Sequence, residues 1–299
     1  MTTGAMPTRG LAEAGRLHLR RGTAADADAC GRIFWEAFAS VASRHDFPAE
    51  PVTSQFAAMM APLWLGQAGI DCVVAEAEGA LVGCAFSDRR DPVIGIGPVC
   101  VAPQAQDAGI GRAMMQWLLH GYIQEGAAAV RLVQTAYHYR SLALYAKLGF
   151  VVREPLSVVS GSPLGVVIPG RSVRPASADD LPVCNAICSS VHGHDRGAEL
   201  GEAAGMGMAV VVEKAGEVTG YATGFGYGFH AVGRENADLM ALIGSAPSIL
   251  GLGILVPSRN AELLRWCLGN GLHIVQQSTL MTIGHYQEPA GAWLPSIRY

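Results

Sequence analysis

The sequence has no run of basic residues, no Cys-x-x-Cys pair and no apolar leader, and each absence removes a class of function. With 21 Lys and Arg against 25 Asp and Glu, it offers no positive stripe to a phosphate backbone, so nucleic acid is not expected as a partner. Seven cysteines without paired spacing suit neither a disulfide framework nor a zinc site. They read as small core residues of a protein in a reducing cytoplasm. Residues 1-15 are rich in Gly, Thr and Ala, which makes them a loose N-terminal tail and not a signal peptide. One 20-residue window, Leu239 to Ser258, carries no charge, but Pro247, Pro257 and three glycines break it into a helix end, a loop and a buried strand. No membrane contact is expected.

What is present centres on Gln106-Asp107-Ala108-Gly109-Ile110-Gly111-Arg112. Upstream, Val93 to Val101 is an apolar run of strand length. Downstream, Ile110, Met114, Trp117, Leu118 and Tyr122 recur at helical spacing, so the glycines sit at a strand-to-helix junction. The first turn of a helix has amides with no internal partner and the positive end of the macrodipole, and glycine lets phosphate oxygens approach the backbone. A pyrophosphate cradle over residues 108 to 112 follows. A dinucleotide fold would add a third glycine and an acid closing the next strand. Here the strand Val130 to Thr135 runs instead into Ala136-Tyr137-His138. Pro98 removes a ladder hydrogen bond from the strand at 93 to 101, which predicts an interruption of pairing there, such as a bulge.

After the strand at 130 to 135 comes Ser141-Leu142-Ala143-Leu144-Tyr145-Ala146-Lys147-Leu148-Gly149-Phe150, a short amphipathic helix closed by glycine, then another strand. Residues 93 to 153 match, in order and spacing, two motifs of the GNAT superfamily of acyl-CoA-dependent N-acyltransferases, which the chain therefore resembles. The resemblance implies that Gln106, Asp107, Ala108, Gly109, Ile110, Gly111 and Arg112 hold the CoA pyrophosphate. It also implies that Val99, Cys100 and Val101 meet the pantetheine, with Ser141 added to the cofactor set. Tyr145 then lies beside the thioester sulfur as general acid, its phenol neutral at pH 7. Acetyl-CoA is the implied co-substrate, with no metal, and the partner is an amine acceptor, a small molecule or a protein, attacked in a ternary complex. Family members carry a glutamate on the cofactor strand; here that position is Gly95, and no carboxylate occurs between Val93 and Val101. His138 and His45 are further catalytic candidates. His45-Asp46 and His194-Asp195 read first as solvated loops, and His192-Gly193-His194-Asp195 lacks a third spaced metal ligand. The missing glutamate leaves a second class of function open, a non-catalytic acyl-CoA-binding regulatory protein. A homodimer is also left open.

The second half repeats the first in outline. Arg20, Thr23, Ala24, Cys30 and Ile33 align with Arg174, Ser177, Ala178, Cys184 and Ile187 at an offset of 154. The hairpin at Val73 to Ala85 recurs at Val210 to Ala222 at an offset of 137, and His138, Tyr145 and Gly149 fall on Asn260, Cys267 and Gly271 at an offset of 122. The predicted fold is thus α/β (α+β): two tandem GNAT-like domains, each a mixed, mostly antiparallel sheet flanked by helices. Residues 16-170 form the catalytic domain that binds acyl-CoA. Residues 171-299, which lack the glycine cradle and the tyrosine, form a degenerate, non-catalytic copy.

Overall fold

A computed structural model describes residues 17–47 and 52–298. The tail expected at 1–15 and the end of the connection at 48–51 lie outside the described residues. The chain forms two compact units, one running to Ser87 and including Pro98–Gly126, the other made of Asp88–Gly97 and the chain from Ala127 onward.

The first unit holds β1 (His18–Arg21), α1 (Ala27–Arg44), α2 (Ser54–Gly66), β2 (Ile70–Ala77), nearly all of β3 (Ala80–Asp88), the later part of β4 (Val93–Val101) and α3 (Ile110–Gln124). Its strands follow the order β1-β2-β3-β4. Glu78 and Gly79 have φ of 52° and 79°, the two left-handed residues of a tight hairpin turn whose twist suits β2 and β3. Along α1, Cys30, Ile33, Phe34 and Ala37 recur at helical spacing and are buried with Ala57, Ala61 and Trp64 of α2 in one core cluster. The two helices touch closely at Gly31, where a Cβ would lie 3.1 Å from the Ala57 carbonyl oxygen. Thr53 caps α2 by accepting the Phe56 N–H at 3.1 Å.

The second unit continues with β5 (Ala129–Thr135), α4 (Tyr139–Lys147), β6 (Val151–Ser160), β7 (Ser172–Pro175), α5 (Leu181–His192) and α6 (Gly197–Gly205). It is completed by β8 (Val210–Lys214), β9 (Glu217–Ala222), β10 (Ala231–Gly233), α7 (Asn236–Ser245), β11 (Ile254–Pro257), α8 (Ala261–Gly269), β12 (His273–Gly284) and β13 (Ala292–Leu294). One sheet runs β4-β5-β12-β6-β11 and the other β13-β10-β9-β8-β7. The repeat is visible in the elements themselves: β7, α5, β8 and β9 follow one another as β1, α1, β2 and β3 do.

The halves are not simply placed in series. Strand β5 pairs with β12, from Ala129 opposite Gly284 to Thr135 opposite Ser278, and β6 lies between β12 and β11. At the offset of 122, β6 and β12 are equivalent, and so are β5 and β11. Each half's last long strand therefore pairs beside the other half's preceding strand. The core reflects this exchange: Val133, Leu156 and Val158 share a buried cluster with Ile187, Val211, Tyr221 and Trp293. Truncating a side chain in such a cluster to alanine costs about 2–5 kcal/mol. All seven cysteines are buried free thiols, and no described helix is long and apolar enough to cross a membrane.

Candidate active site

The predicted cradle lies in the first unit, at the start of α3. Asp107 and Gly109 have φ of 71° and 81°, and this pair of left-handed residues turns the chain from β4 into the helix. The first ladder bond runs from the Ala113 N–H to the Gly109 carbonyl at 3.0 Å, so the amides of Ile110, Gly111 and Arg112 precede any intrahelical acceptor. A Cβ built on Gly109 meets nothing within 4 Å, so the backbone there faces open space. Gln106 has a different part. Its Nε2 donates to the Val101 carbonyl at 3.1 Å and its Oε1 accepts from Arg44 at 2.5 Å, which ties the loop to the ends of β4 and α1. On β4, Cys100 is buried in the core while Val99 and Val101 are half-buried. His45 closes α1, its N–H on the Ala42 carbonyl at 3.2 Å.

The interruption expected at Pro98 shows in the extent of strand pairing. Parallel pairing of β4 with β5 is confined to Val93, Ile94 and Gly95 opposite Ala129, Val130 and Arg131. Pro98 follows three residues later, with no N–H to give a ladder.

His138, Ser141 and Tyr145 belong to the second unit. The His138 carbonyl caps α4, accepting the Ser141 N–H at 3.0 Å and the Ser141 hydroxyl at 2.8 Å, and that hydroxyl also reaches Gln134 Oε1 at 3.0 Å. Tyr145 is buried, with its ring edge-on to Phe150 at a centroid separation of 5.9 Å.

Sequence reasoning missed a cavity in the second unit, where β4 begins. Val93, Gly95, Asp88, Asp91, His194 and Glu199 are among the residues that line it. Arg90 clasps Asp88 at 2.5 Å and Glu202 at 2.7 Å, while Arg196 holds Glu199 at 2.5 Å. Asp91 accepts the Ala198 N–H in the first turn of α6 at 2.9 Å, and burial raises its carboxyl above the usual carboxylate range. Burial would raise Glu199 too, but Arg196 and His230 outweigh it and hold that carboxyl well below. His230 Nδ1 lies 3.2 Å from Glu199 Oε1, off the line a hydrogen bond prefers, and His230 Nε2 meets the Tyr221 hydroxyl at 2.9 Å. His194 corrects the reading of a solvated loop. It is half-buried, its Nδ1 pairs with the Asp195 carbonyl at 2.9 Å, and burial lowers its pKa to about 4, so the ring is neutral at pH 7. His192 is also inside, edge-on to Trp293 at 5.3 Å. The one sequence signal was the charged run Asp88-Arg89-Arg90-Asp91 just ahead of an apolar strand.

The equivalent places in the second half are built differently. Helix α7 follows β10 as α3 follows β4, but its N-cap is Glu235 and its first turn carries Asp238. Asp238 accepts the Glu235 N–H at 3.1 Å and is fixed by Arg171 and the Thr219 hydroxyl, both at 2.7 Å. Carboxylates thus occupy the helix end that α3 leaves open. Beside β10 stands β13, antiparallel, with Val232 opposite Trp293. All three residues of β10 are thus paired with the chain's own later strand.

A mixed-sheet α/β protein with an open helix start after a left-handed turn is the class these features define. Residues 28–150 match the model of the acetyltransferase (GNAT) family. A proposed acetyltransferase from Pyrococcus horikoshii has a similar structure, with a TM-score of 0.71 at 17% identity over 98% of this chain and 97% of that one. A GCN5-related N-acetyltransferase from Sphaerobacter thermophilus gives 0.60 at 16% identity, covering 95% of this chain and 98% of that one. A tandem GNAT protein from the clavulanic acid biosynthesis pathway gives 0.56 at 15% identity, covering 94% and 100%. No curated protein matches the chain. At these identities the structural likeness speaks for fold. Residues 28–150 are thus similar to the acetyltransferase (GNAT) family, and the chain as a whole has the fold of a tandem GNAT protein.

Proposed function

We propose that this chain is an N-acetyltransferase that moves an acetyl group from acetyl-CoA to a primary amine of a small molecule or a protein. The observation that carries the reading is the open first turn of α3 at Gly109, inside the segment that matches the acetyltransferase family. Amides of residues 108 to 112 would hold the pyrophosphate, and β4, released from β5 beyond Gly95, would offer backbone groups at Val99 to Val101 to the pantetheine. The amine nitrogen attacks the thioester carbonyl carbon, the C–S bond breaks, and the departing thiolate takes a proton from the Tyr145 hydroxyl. We assign the amine's lost proton to Asp91, two residues ahead of β4, whose raised carboxyl is better matched to that task than an ordinary aspartate. Residues 171–299 are read as catalytically silent, supported by the carboxylates at the start of α7 and by β13 beside β10.

The test is calorimetric titration with acetyl-CoA followed by thiol release in the presence of a panel of primary amines. Saturable binding with amine-dependent release of free CoA supports the enzyme. Binding without release from any amine would favour the non-catalytic acyl-CoA-binding regulatory protein. Absence of binding would remove both readings.

A further inference from the structure

The chain leaves β4 through one tight turn, with the Ala105 N–H on the Ala102 carbonyl at 2.9 Å, which brings Gln106 back beside the strand it has just left. The edge it meets is the one turned away from β3. Ala102 donates its N–H to the Val82 carbonyl at 2.9 Å, and a Cβ on Gly83 would lie 3.1 Å from the Cys100 carbonyl oxygen, so residues 100 and 102 direct their backbone groups to β3. Backbone groups alternate in direction along an antiparallel strand, so those of Val99 and Val101 point to the opposite edge. On that edge the described pairing with β5 has ended at Gly95.

One acceptor on this edge is already taken. The Val101 carbonyl receives an N–H of Gln106 Nε2 at 3.1 Å, as it would receive the N–H of a neighbouring strand. Only one orientation of that amide suits its surroundings. A carbonyl only accepts and a guanidinium only donates, so Nε2 must face Val101 while Oε1 faces Arg44, whose Nη2 donates to it at 2.5 Å. Arg44 is tied in turn to the last turn of α1, its Nε donating to the Ser40 carbonyl at 3.3 Å. The end of one helix therefore sets the direction of an amide that closes the edge of β4.

We propose that Gln106, oriented by Arg44, is a positioning residue for the cofactor: it closes the β4 edge at the Val101 carbonyl and leaves the groups from Val99 to the Val101 N–H for the pantetheine amides. This role, which rests on the acetyltransferase reading, differs from that of a pyrophosphate ligand, because both ends of the Gln106 amide are engaged within the protein. Without that amide the Val101 carbonyl would compete for the pantetheine, and a slip of two residues would carry the thioester about 7 Å along β4. The same bond fixes the edge of β4 relative to the amides of residues 110 to 112, two places that one CoA would span.

The experiment titrates the full chain with acetyl-CoA and, separately, with the nucleotide portion of CoA, which ends at the pyrophosphate and lacks pantetheine. Gln106→Leu removes the amide, Arg44→Met removes the donor that orients it, and Arg44→Lys keeps a cation in that place. Gln106→Leu and Arg44→Met are each expected to weaken acetyl-CoA binding by about threefold to tenfold while the nucleotide affinity stays within about twofold of the parent. Arg44→Lys should recover most of the loss, and melting temperatures should stay near that of the parent. Equal losses for both ligands would make these side chains phosphate contacts and overturn the proposal, as would a Gln106→Leu protein that binds acetyl-CoA like the parent. Should Gln106→Leu fail to fold, the contrast between Arg44→Met and Arg44→Lys on the two ligands decides alone. A parent that binds neither ligand removes the acetyltransferase reading and this role with it, whereas a parent that binds both, with variants that lose both equally, removes this role alone.

Discussion

Arg174 grips Asp180 through two parallel hydrogen bonds, of 2.7 and 2.8 Å, while the same carboxylate accepts the Ser177 N–H at 2.7 Å. Arg20 and Asp26 repeat the arrangement at 2.8 and 2.8 Å, with the Thr23 N–H at 2.8 Å. One carboxylate in each half thus ends a strand, caps the turn into the next helix and neutralises an arginine that also reaches the following hairpin at Glu213 or Glu76.

A stability prediction follows from that geometry. The hydrogen bonds from Arg174 hold the Asp180 carboxyl well below the usual carboxylate range, so its contribution is present above about pH 4 and is lost as pH falls through the folded value. Asp180→Asn is expected to cost roughly 1–3 kcal/mol near neutral pH. It should also flatten the acid limb of the stability curve. Urea unfolding from pH 7 down to pH 3 checks both, and an unchanged acid limb would mean that the pair contributes nothing.

Binding of acetyl-CoA should depend on the start of α3. Gly109→Asp puts a Cβ on a residue with φ of 81° and a negative charge into the open space in front of the amides. Gly111→Asp adds the same charge inside the first turn. Each is expected to weaken binding by at least about tenfold, and calorimetry showing either variant within about threefold of the parent would displace the cradle from residues 108 to 112.

Tyr145→Phe separates chemistry from binding. The phenylalanine keeps the edge-on contact with Phe150 and loses only the hydroxyl. A proton donor is worth roughly 10²–10⁴ in rate, so kcat should fall by a factor in or just below that range while the acetyl-CoA Kd stays constant. An unchanged kcat at saturating substrates would assign the ring to packing alone.

Stoichiometry tests the second half. With Glu235 and Asp238 seated at the start of α7 and β13 paired along β10, one acetyl-CoA per chain is expected. Replacing both acids by Gln and Asn would remove the repulsion and leave β13 paired along β10, so the count should remain one. Two equivalent sites in a titration of the parent would show that residues 171–299 are not silent.

Local periodicity carried much of this architecture. The spacing of Cys30, Ile33, Phe34 and Ala37 located α1, Glu78-Gly79 located the hairpin turn, and Gln106 to Arg112 located the turn into α3. Several elements left no such trace. Helix α6 carries Gly197, Gly201 and Gly205, a pattern that reads as loop; Leu200 and Ala203 bury in the core and Asp91, 107 residues away, holds its first turn. Strand β10 is three residues long, too short for an alternation to register. The charged cavity was hidden for a related reason, because Arg90 meets Glu202 and Asp88 meets Arg298 across separations that no spacing rule spans. Strand β12 was not read from the sequence, and alternation would in any case say which face is buried and nothing about which neighbour it pairs with.

The exchange of β6 and β12 has a genealogical consequence. Two separate single-domain chains that traded their last strands would form a swapped dimer with this same order of β5, β12, β6 and β11. Joining them through the stretch that here runs from 161 to 171 turns such a dimer into one polypeptide with little change to either sheet. In such a chain one half could lose its ligand and keep its place, since its strand would still be required to complete the other. A chain nicked within 161–171 should accordingly behave as two pieces that stay together, each holding the strand the other cannot supply.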